Sequence, residues 1–230
     1  MIGLLRSSLW HRVPRDHRDE PSVLRRRQVI CAVVVVLGAV LLGLALRIPP
    51  GDEAFLVSSA ALSALWIVGG LVAGPLHLGF VADDDDTLVR PILPAVATGL
   101  LLAGLFCLGG LVVRDLPWLG EQVRVVLEHG AHGGGVAVLA VTVLTGVAEE
   151  VFFRGAVYAA VPKRPLLVTT IAYVLATLAT GNPMLGFAAV LLGLVTGLQR
   201  RASGGVLAPI LTHVTWSGVL FFALPRIFGV

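Results

Sequence analysis

Apolar residues in this chain run in long blocks, without the period-2 or period-3.6 alternation of half-buried strands and helices. The blocks cover roughly 29–46, 54–73, 92–113, 135–160, 166–180, 184–198 and 206–224. Stretches of this length and character predict transmembrane helices. Between the third and fourth blocks, residues 114–134 read differently. Trp118, Leu119, Val123, Val126 and Leu127 fall on one helical face and Glu121, Arg124 and Glu128 on another, as in a helix lying in the membrane interface. The expected fold is therefore all-α: a polytopic transmembrane helix bundle of about seven spans plus one interfacial helix.

Two blocks are short. The fifth and sixth hold about 15 apolar residues each, or roughly 22 Å of helix, against the roughly 30 Å of a bilayer core. Between them "TGNP" (Thr180 to Pro183) breaks any helix. Irregular backbone below the membrane surface needs protein or a water-filled cavity around it. An internal polar chamber is expected near this break.

Charge sets the orientation. If the N-terminus is cytosolic and each block crosses once, only Arg47, Arg114, Arg124 and Arg226 of the 17 basic residues fall outside. The other thirteen fall inside, as the positive-inside rule requires. Residues 1–27 carry seven arginines and read as a basic cytosolic tail. Residues 28–230 form one bundle. The first block lacks the short hydrophobic region and small-residue cleavage site of a cleavable signal, and reads as a retained span. The expected location is a bacterial plasma membrane.

Composition narrows the function. The chain is 57% hydrophobic and 13% charged, about half the charged share of a soluble domain. The net charge of +3 does not point to nucleic acid, because the arginines sit at block ends with no interleaved aromatics. The two cysteines, Cys31 and Cys107, lie in separate apolar blocks and predict no disulfide or zinc site. His129 and His132 read as residues of the membrane edge. The run Asp83 to Asp86 lacks the ligand spacing of a calcium loop and reads as a solvated turn.

The informative charges are inside the fourth block, in "GVAEEVFFRGAVY" (Gly146 to Tyr158). A charge near mid-bilayer costs at least about 2.5–3.5 kcal/mol, so such residues are functional by default. Glu150 and Arg154 are four apart, share a helix face and can pair. Glu149 points about 100° away. Arg154 therefore neutralises one carboxylate, and the other needs a different partner, a proton or water. A desolvated glutamate beside a fixed, paired one suits a general base.

The seventh block supplies His213, in "LAPILTHVTWSG". Counted from their cytosolic ends, Glu150 lies roughly 15 Å deep and His213 roughly 10 Å. The fourth and seventh helices thus bring Glu149 or Glu150 to about the depth of His213, with Ser217 one turn further on.

These motifs resemble those of the CPBP intramembrane proteases, the group that holds type II CAAX prenyl endopeptidases and bacteriocin-processing or self-immunity proteins. "EEVFFR" matches the family's Glu-Glu-x-x-x-Arg. "APILTHVTWS" is similar to its last motif, a histidine followed four residues later by asparagine; here Ser217 stands at that asparagine position. The likeness spans about residues 136–224. The family's middle motif, Phe-x-x-x-His, has no histidine here, and its place falls on Ala179 or Asn182. The resemblance implies an endopeptidase that hydrolyses a membrane-associated or prenylated substrate. It gives Glu149 the role of base for water, with Glu150 held by Arg154. His213 would donate to the oxyanion or position the water, and Ser217 and Asn182 would be auxiliary. The cofactor stays open between a divalent metal such as zinc, with Glu149 and His213 as its ligands, and none.

The implied partners are a membrane-embedded peptide or protein and the lipid bilayer. The missing histidine motivates a second reading, a catalytically silent member that binds and regulates a membrane protein. A proton-coupled transporter is a third reading, without the internal repeat expected of one. For Asn182 two placements are open: within reach of the Glu149–His213 cavity, or capping the helix break on the outer side.

Overall fold

The computed structural model describes residues 2–10, 19–82, 87–132 and 135–230. The expectations for Asp83 to Asp86, for Arg12, Arg15 and Arg18, and for the His132 side chain lie outside the described residues. The elements are α1 (Ile2–Leu9), α2 (Pro21–Ala45), α3 (Glu53–Ala73), β1 (Val81–Ala82), β2 (Leu88–Val89), α4 (Ile92–Val113), α5 (Pro117–His132) and α6 (Val136–Glu150). A π-helical segment, Val151–Val157, continues α6 into α7 (Tyr158–Ala160). Then come α8 (Pro165–Leu178), α9 (Pro183–Ser203) and α10 (Leu207–Phe228). The two strands form a two-residue antiparallel ladder, Val81 opposite Val89.

Six helical stretches are long and apolar enough to cross a membrane: α2, α3, α4, α6 through α7, α9 and α10. Their outer faces carry exposed Val33, Val36 and Val40 on α2 and Leu101, Leu105 and Leu108 on α4. A soluble protein does not leave apolar bands this extensive uncovered. The chain is an integral membrane protein with an all-α polytopic bundle. The fifth block, α8, is the short one at 14 residues, or about 21 Å.

The sixth block is longer than its apolar run suggests. Helix α9 continues through Gln199, Arg200 and Arg201 to Ser203. These polar residues mark the end of the apolar run, yet Gln199 and Arg200 are buried with partners. Gln199 Nε2 donates to Thr212 Oγ1 at 2.8 Å and Arg200 Nε to the Arg154 carbonyl at 2.6 Å. Helical structure also begins ahead of the first apolar block. Helix α2 starts at Pro21, and its first turns are tied to the end of α3. Arg26 Nη2 donates to the Val72 carbonyl at 3.2 Å and Arg27 Nε to that of Ala73 at 3.1 Å. These are the last carbonyls of α3, which lack helical partners and attract cations.

Hydrogen bonds define the two ends of the bundle. At one end, Gln28 donates to the Ala160 carbonyl and the Val206 amide to that of His77. At the other, Asn182 Nδ2 donates to the Gln122 carbonyl, His129 Nε2 lies 3.0 Å from the Ile48 carbonyl, and Arg114 reaches Ile227. These are called the N-terminal end and the α5 end. Helix α5 lies at the latter. Trp118 is exposed, in keeping with an interfacial aromatic, while Val123, Val126 and Leu127 turn toward the bundle.

Near the N-terminal end the α9–α10 turn packs directly on the segment after α3. A side chain at Gly205 would overlap the Leu78 carbonyl and the Gly79 amide. Both are backbone atoms, so neither swings aside. Gly205→Ala is expected to lower stability by about 1–3 kcal/mol through overpacking. Thermal unfolding in detergent checks this, and an unchanged midpoint would show that the two segments separate easily.

Candidate active site

The site forms where the α6–π span crosses α8 and α10. Glu149 and Glu150 end α6 and Arg154 lies in the π-helical segment. A π-helical turn inserted into a transmembrane α-helix is rare and recurs at functional sites. Glu150 and Arg154 are fully buried, and Glu149, Tyr173 and His213 nearly so.

Glu150 is the junction. Its Oε1 accepts from Arg154 Nη1 at 3.1 Å and lies 2.9 Å from His213 Nδ1. The Glu150–Arg154 pairing is the one expected from their spacing. His213 was expected at the depth of either glutamate, and it binds Glu150. Glu150 Oε2 and Arg154 Nε and Nη2 have no hydrogen-bond partner among the described residues. The Arg154 guanidinium also lies over the Tyr173 ring, 4.7 Å from its centre. Close packing permits this arrangement. A β-carbon at Gly146 would sit 3.3 Å from His213 Cδ2, and one at Gly193 would sit 3.4 Å from Arg154 Nη2.

Glu149 is held separately. Tyr173 Oη donates to its Oε2 at 2.6 Å. Reasoning from the sequence missed Tyr173, although a signal was there. The chain has two tyrosines, and this one sits inside the apolar block α8. A buried tyrosine hydroxyl nearly always needs a partner. Phe152 and Phe153 stack around Trp66 and complete the packing on the N-terminal side, with Phe152 4.7 Å and Phe153 5.1 Å from the Trp66 ring.

Glu149, Tyr173 and His213 form the floor of a chamber of about 530 Å³. Its walls are mostly aliphatic and aromatic, a size and lining typical of a ligand cavity. Ser217 lines it, with one long contact from its hydroxyl to the Val214 carbonyl at 3.4 Å. His213 Nε2 has no hydrogen-bond partner among the described residues, and the ring lines the chamber.

Asn182 lines the same chamber but near its other end. Its Oδ1 accepts from the Met184 and Leu185 amides at 3.0 and 3.2 Å, capping α9, and its Nδ2 is spent on the Gln122 carbonyl at 2.7 Å. Asn182 therefore caps α9 and also lines the chamber that holds Glu149 and His213, so the two placements are not exclusive. Asn182→Ala is expected to cost about 0.5–2 kcal/mol, the usual range for a lost N-cap. A melting midpoint equal to that of the wild type would contradict the cap's role.

His129 is a structural residue of the rim. Its Nδ1 lies 3.0 Å from the Val125 carbonyl, Nε2 is taken by Ile48, and Phe55 packs on its ring at 4.6 Å. Among the described residues no three of His, Cys, Asp and Glu converge as metal ligands. Two such donors, Glu149 and His213, border the chamber, one fewer than the three protein ligands of a catalytic zinc. His213 Nδ1 and Glu150 Oε1 face each other, and Glu149 Oε2 is taken by Tyr173.

Residues 133–219 match a family model described as type II CAAX prenyl endopeptidase Rce1-like. No curated protein and no solved structure matches the chain. The matched segment contains both glutamates, Arg154, Tyr173 and His213, and agrees with the resemblance carried by "EEVFFR" and "APILTHVTWS". Over residues 133–219 the chain is thus similar to type II CAAX prenyl endopeptidase Rce1-like proteins, in line with the CPBP resemblance carried by its motifs.

Proposed function

We propose that the protein is an intramembrane endopeptidase that hydrolyses a peptide bond of a membrane-embedded substrate with water activated by Glu149. The observation that carries this is the division of labour between the two carboxylates. Glu150 is sealed in and committed to Arg154 and His213, whereas Glu149 is fixed by Tyr173 yet borders the chamber.

In this reading Glu149 takes a proton from water, and the hydroxide attacks the carbonyl carbon of the scissile bond. His213 Nε2–H donates to the oxygen that gains charge, while Nδ1–H is oriented by Glu150. Glu149 then delivers its proton to the departing nitrogen as the C–N bond breaks, leaving a carboxylate and an amine. Glu149 and His213 are the catalytic residues. Glu150, Arg154 and Tyr173 are positioning residues, and Ser217 is a second donor beside the chamber floor. Asn182, already bonded on both sides of its amide, supports the rim.

The test is direct. Purified protein in proteoliposomes is mixed with apolar and prenylated peptides, and products are read by mass spectrometry in normal and ¹⁸O water. One ¹⁸O in the new carboxylate after a single turnover, with none in Glu149, is the expected result. A label in Glu149 would mean a covalent acyl-enzyme. No cleavage of any peptide, with a partner protein that co-purifies, would turn the reading to a silent regulator. Within the same experiment, Tyr173→Phe is expected to slow the chemical step about tenfold or more with little change in KM, because the Glu149 carboxylate loses its orienting bond. A rise in KM with kcat unchanged would assign Tyr173 to substrate binding.

A further inference from the structure

The chamber has a direction. Its walls come from the last turns of α2 (Leu42, Ala45), the first turns of α3 (Phe55, Ser59) and the first half of α6 (Val138, Val141). The last turns of α10 and the whole inner face of α5 complete them. All these segments belong to the α5 end of the bundle. Toward the N-terminal end the floor is backed by Trp66, Phe152, Phe153 and Arg154, each 0–1% exposed, and none of these four lines the chamber. Arg200 closes that layer on the Arg154 carbonyl. Glu149 is thus approached from the α5 end.

Charge tells which end that is. Arg25, Arg26, Arg27, Lys163, Arg164 and Arg201 lie at the N-terminal end, and Arg47, Arg114, Arg124 and Arg226 at the α5 end. The acidic run at 83–86 falls between α3 and α4, but topology follows lysine and arginine far more than aspartate. The N-terminal end is cytosolic, and the chamber opens to the opposite face.

The wall also speaks to the occupant. It is apolar, yet Thr177 and Ser217 near the floor and Thr142, Asn182 and Gln122 higher up add hydroxyl and amide groups along its length. A peptide backbone carries donors and acceptors at every residue and must place them when it leaves water. A lone prenyl chain has none to place, and a prenylated C-terminus would present its backbone from the cytosol, at the end opposite the opening.

We infer that the substrate reaches Glu149 from the non-cytosolic face, as an apolar polypeptide segment drawn into this chamber past α5, and not as a prenylated C-terminus presented from the cytosol. The inference deepens the hydrolase reading and rests on it for the word substrate.

The experiment separates the two. In a background of Cys31→Ala and Cys107→Ala, single cysteines are placed at Ala131 on α5, Val141 in the chamber wall and Lys163 at the opposite end. Sealed cells are treated with a membrane-impermeant thiol reagent. The expected result is modification at positions 131 and 141 from outside, and at 163 only after permeabilisation. In right-side-out vesicles, a leucine-rich peptide bearing a diazirine and a charged tag should crosslink at the chamber when added outside. Prior modification of the cysteine at position 141 should reduce that crosslinking at least fivefold. Labelling at position 163 from outside, with 131 and 141 protected, would overturn the inference. So would crosslinking by a diazirine farnesylcysteine methyl ester in place of the peptide. These readouts need no turnover. No cleavage of any peptide by the wild type would defeat the hydrolase reading while leaving the side of entry decided.

Discussion

Glu149→Gln lowers the rate of peptide hydrolysis by about 10²–10⁴-fold, the usual contribution of a positioned general base. The substitution is nearly isosteric. The glutamine carbonyl still accepts from Tyr173 Oη, so the 2.6 Å contact and the packing around it survive. What is lost is the ability to take a proton from water and return it to the leaving nitrogen. The expected signature is therefore a fall in kcat with KM little changed, and a melting midpoint close to that of the wild type. A variant that cleaves as fast as the wild type would remove Glu149 from the chemistry.

Arg154→Met has the largest expected effect on stability, a loss of about 3–5 kcal/mol, because it leaves Glu150 buried without its cation. Both side chains are fully buried, so solvent offers little screening. The variant also loses the contact over the Tyr173 ring and an N–H bond to Glu150 Oε1. His213 remains beside Glu150, with its Nδ1 as the sole side-chain contact left to Oε1 among the described residues. Pairing the change with Glu150→Gln tests the cause. If the uncompensated carboxylate is responsible, Glu150→Gln with Arg154→Met is more stable than Arg154→Met alone, and the interaction energy has the sign of a broken pair. Unfolding in detergent measures all four members of the cycle. A single Arg154→Met variant within about 1 kcal/mol of the wild type would show that Glu150 is held without the guanidinium.

Both expectations start from residues that the sequence singles out. Glu149, Glu150 and Arg154 are recognisable because ionised groups in an apolar block are costly and need a reason to persist. Their i,i+4 spacing identifies the Glu150–Arg154 pair before any coordinates, and helix counting places His213 at a matching depth. The polytopic all-α bundle, the amphipathic α5 and the break at Thr180 to Pro183 follow equally from local rules of hydropathy and helix termination. These features are legible because each depends on residues close together in the chain.

The partners of the remaining groups depend on which helices meet. Tyr173 is one apolar-block aromatic among several until α8 packs on the π-helical segment and sets its hydroxyl on Glu149. Gln199, Arg200 and Arg201 look like the end of a span until Thr212 and the Arg154 carbonyl absorb the first two inside the bundle. The departure from α-helical geometry at Val151–Val157 has no signature in the local residues, because Val, Phe and Gly are compatible with either winding. Asn182 is a helix-breaking neighbour in the sequence, and only the approach of α5 gives its amide the Gln122 carbonyl as a second partner. The chain by itself therefore determined the bundle and the charged residues at its centre, through the cost of placing backbone and charge in hydrocarbon. The tertiary structure decided which glutamate faces open space and toward which end that space extends, because cavities are made by the relative placement of helices distant in sequence.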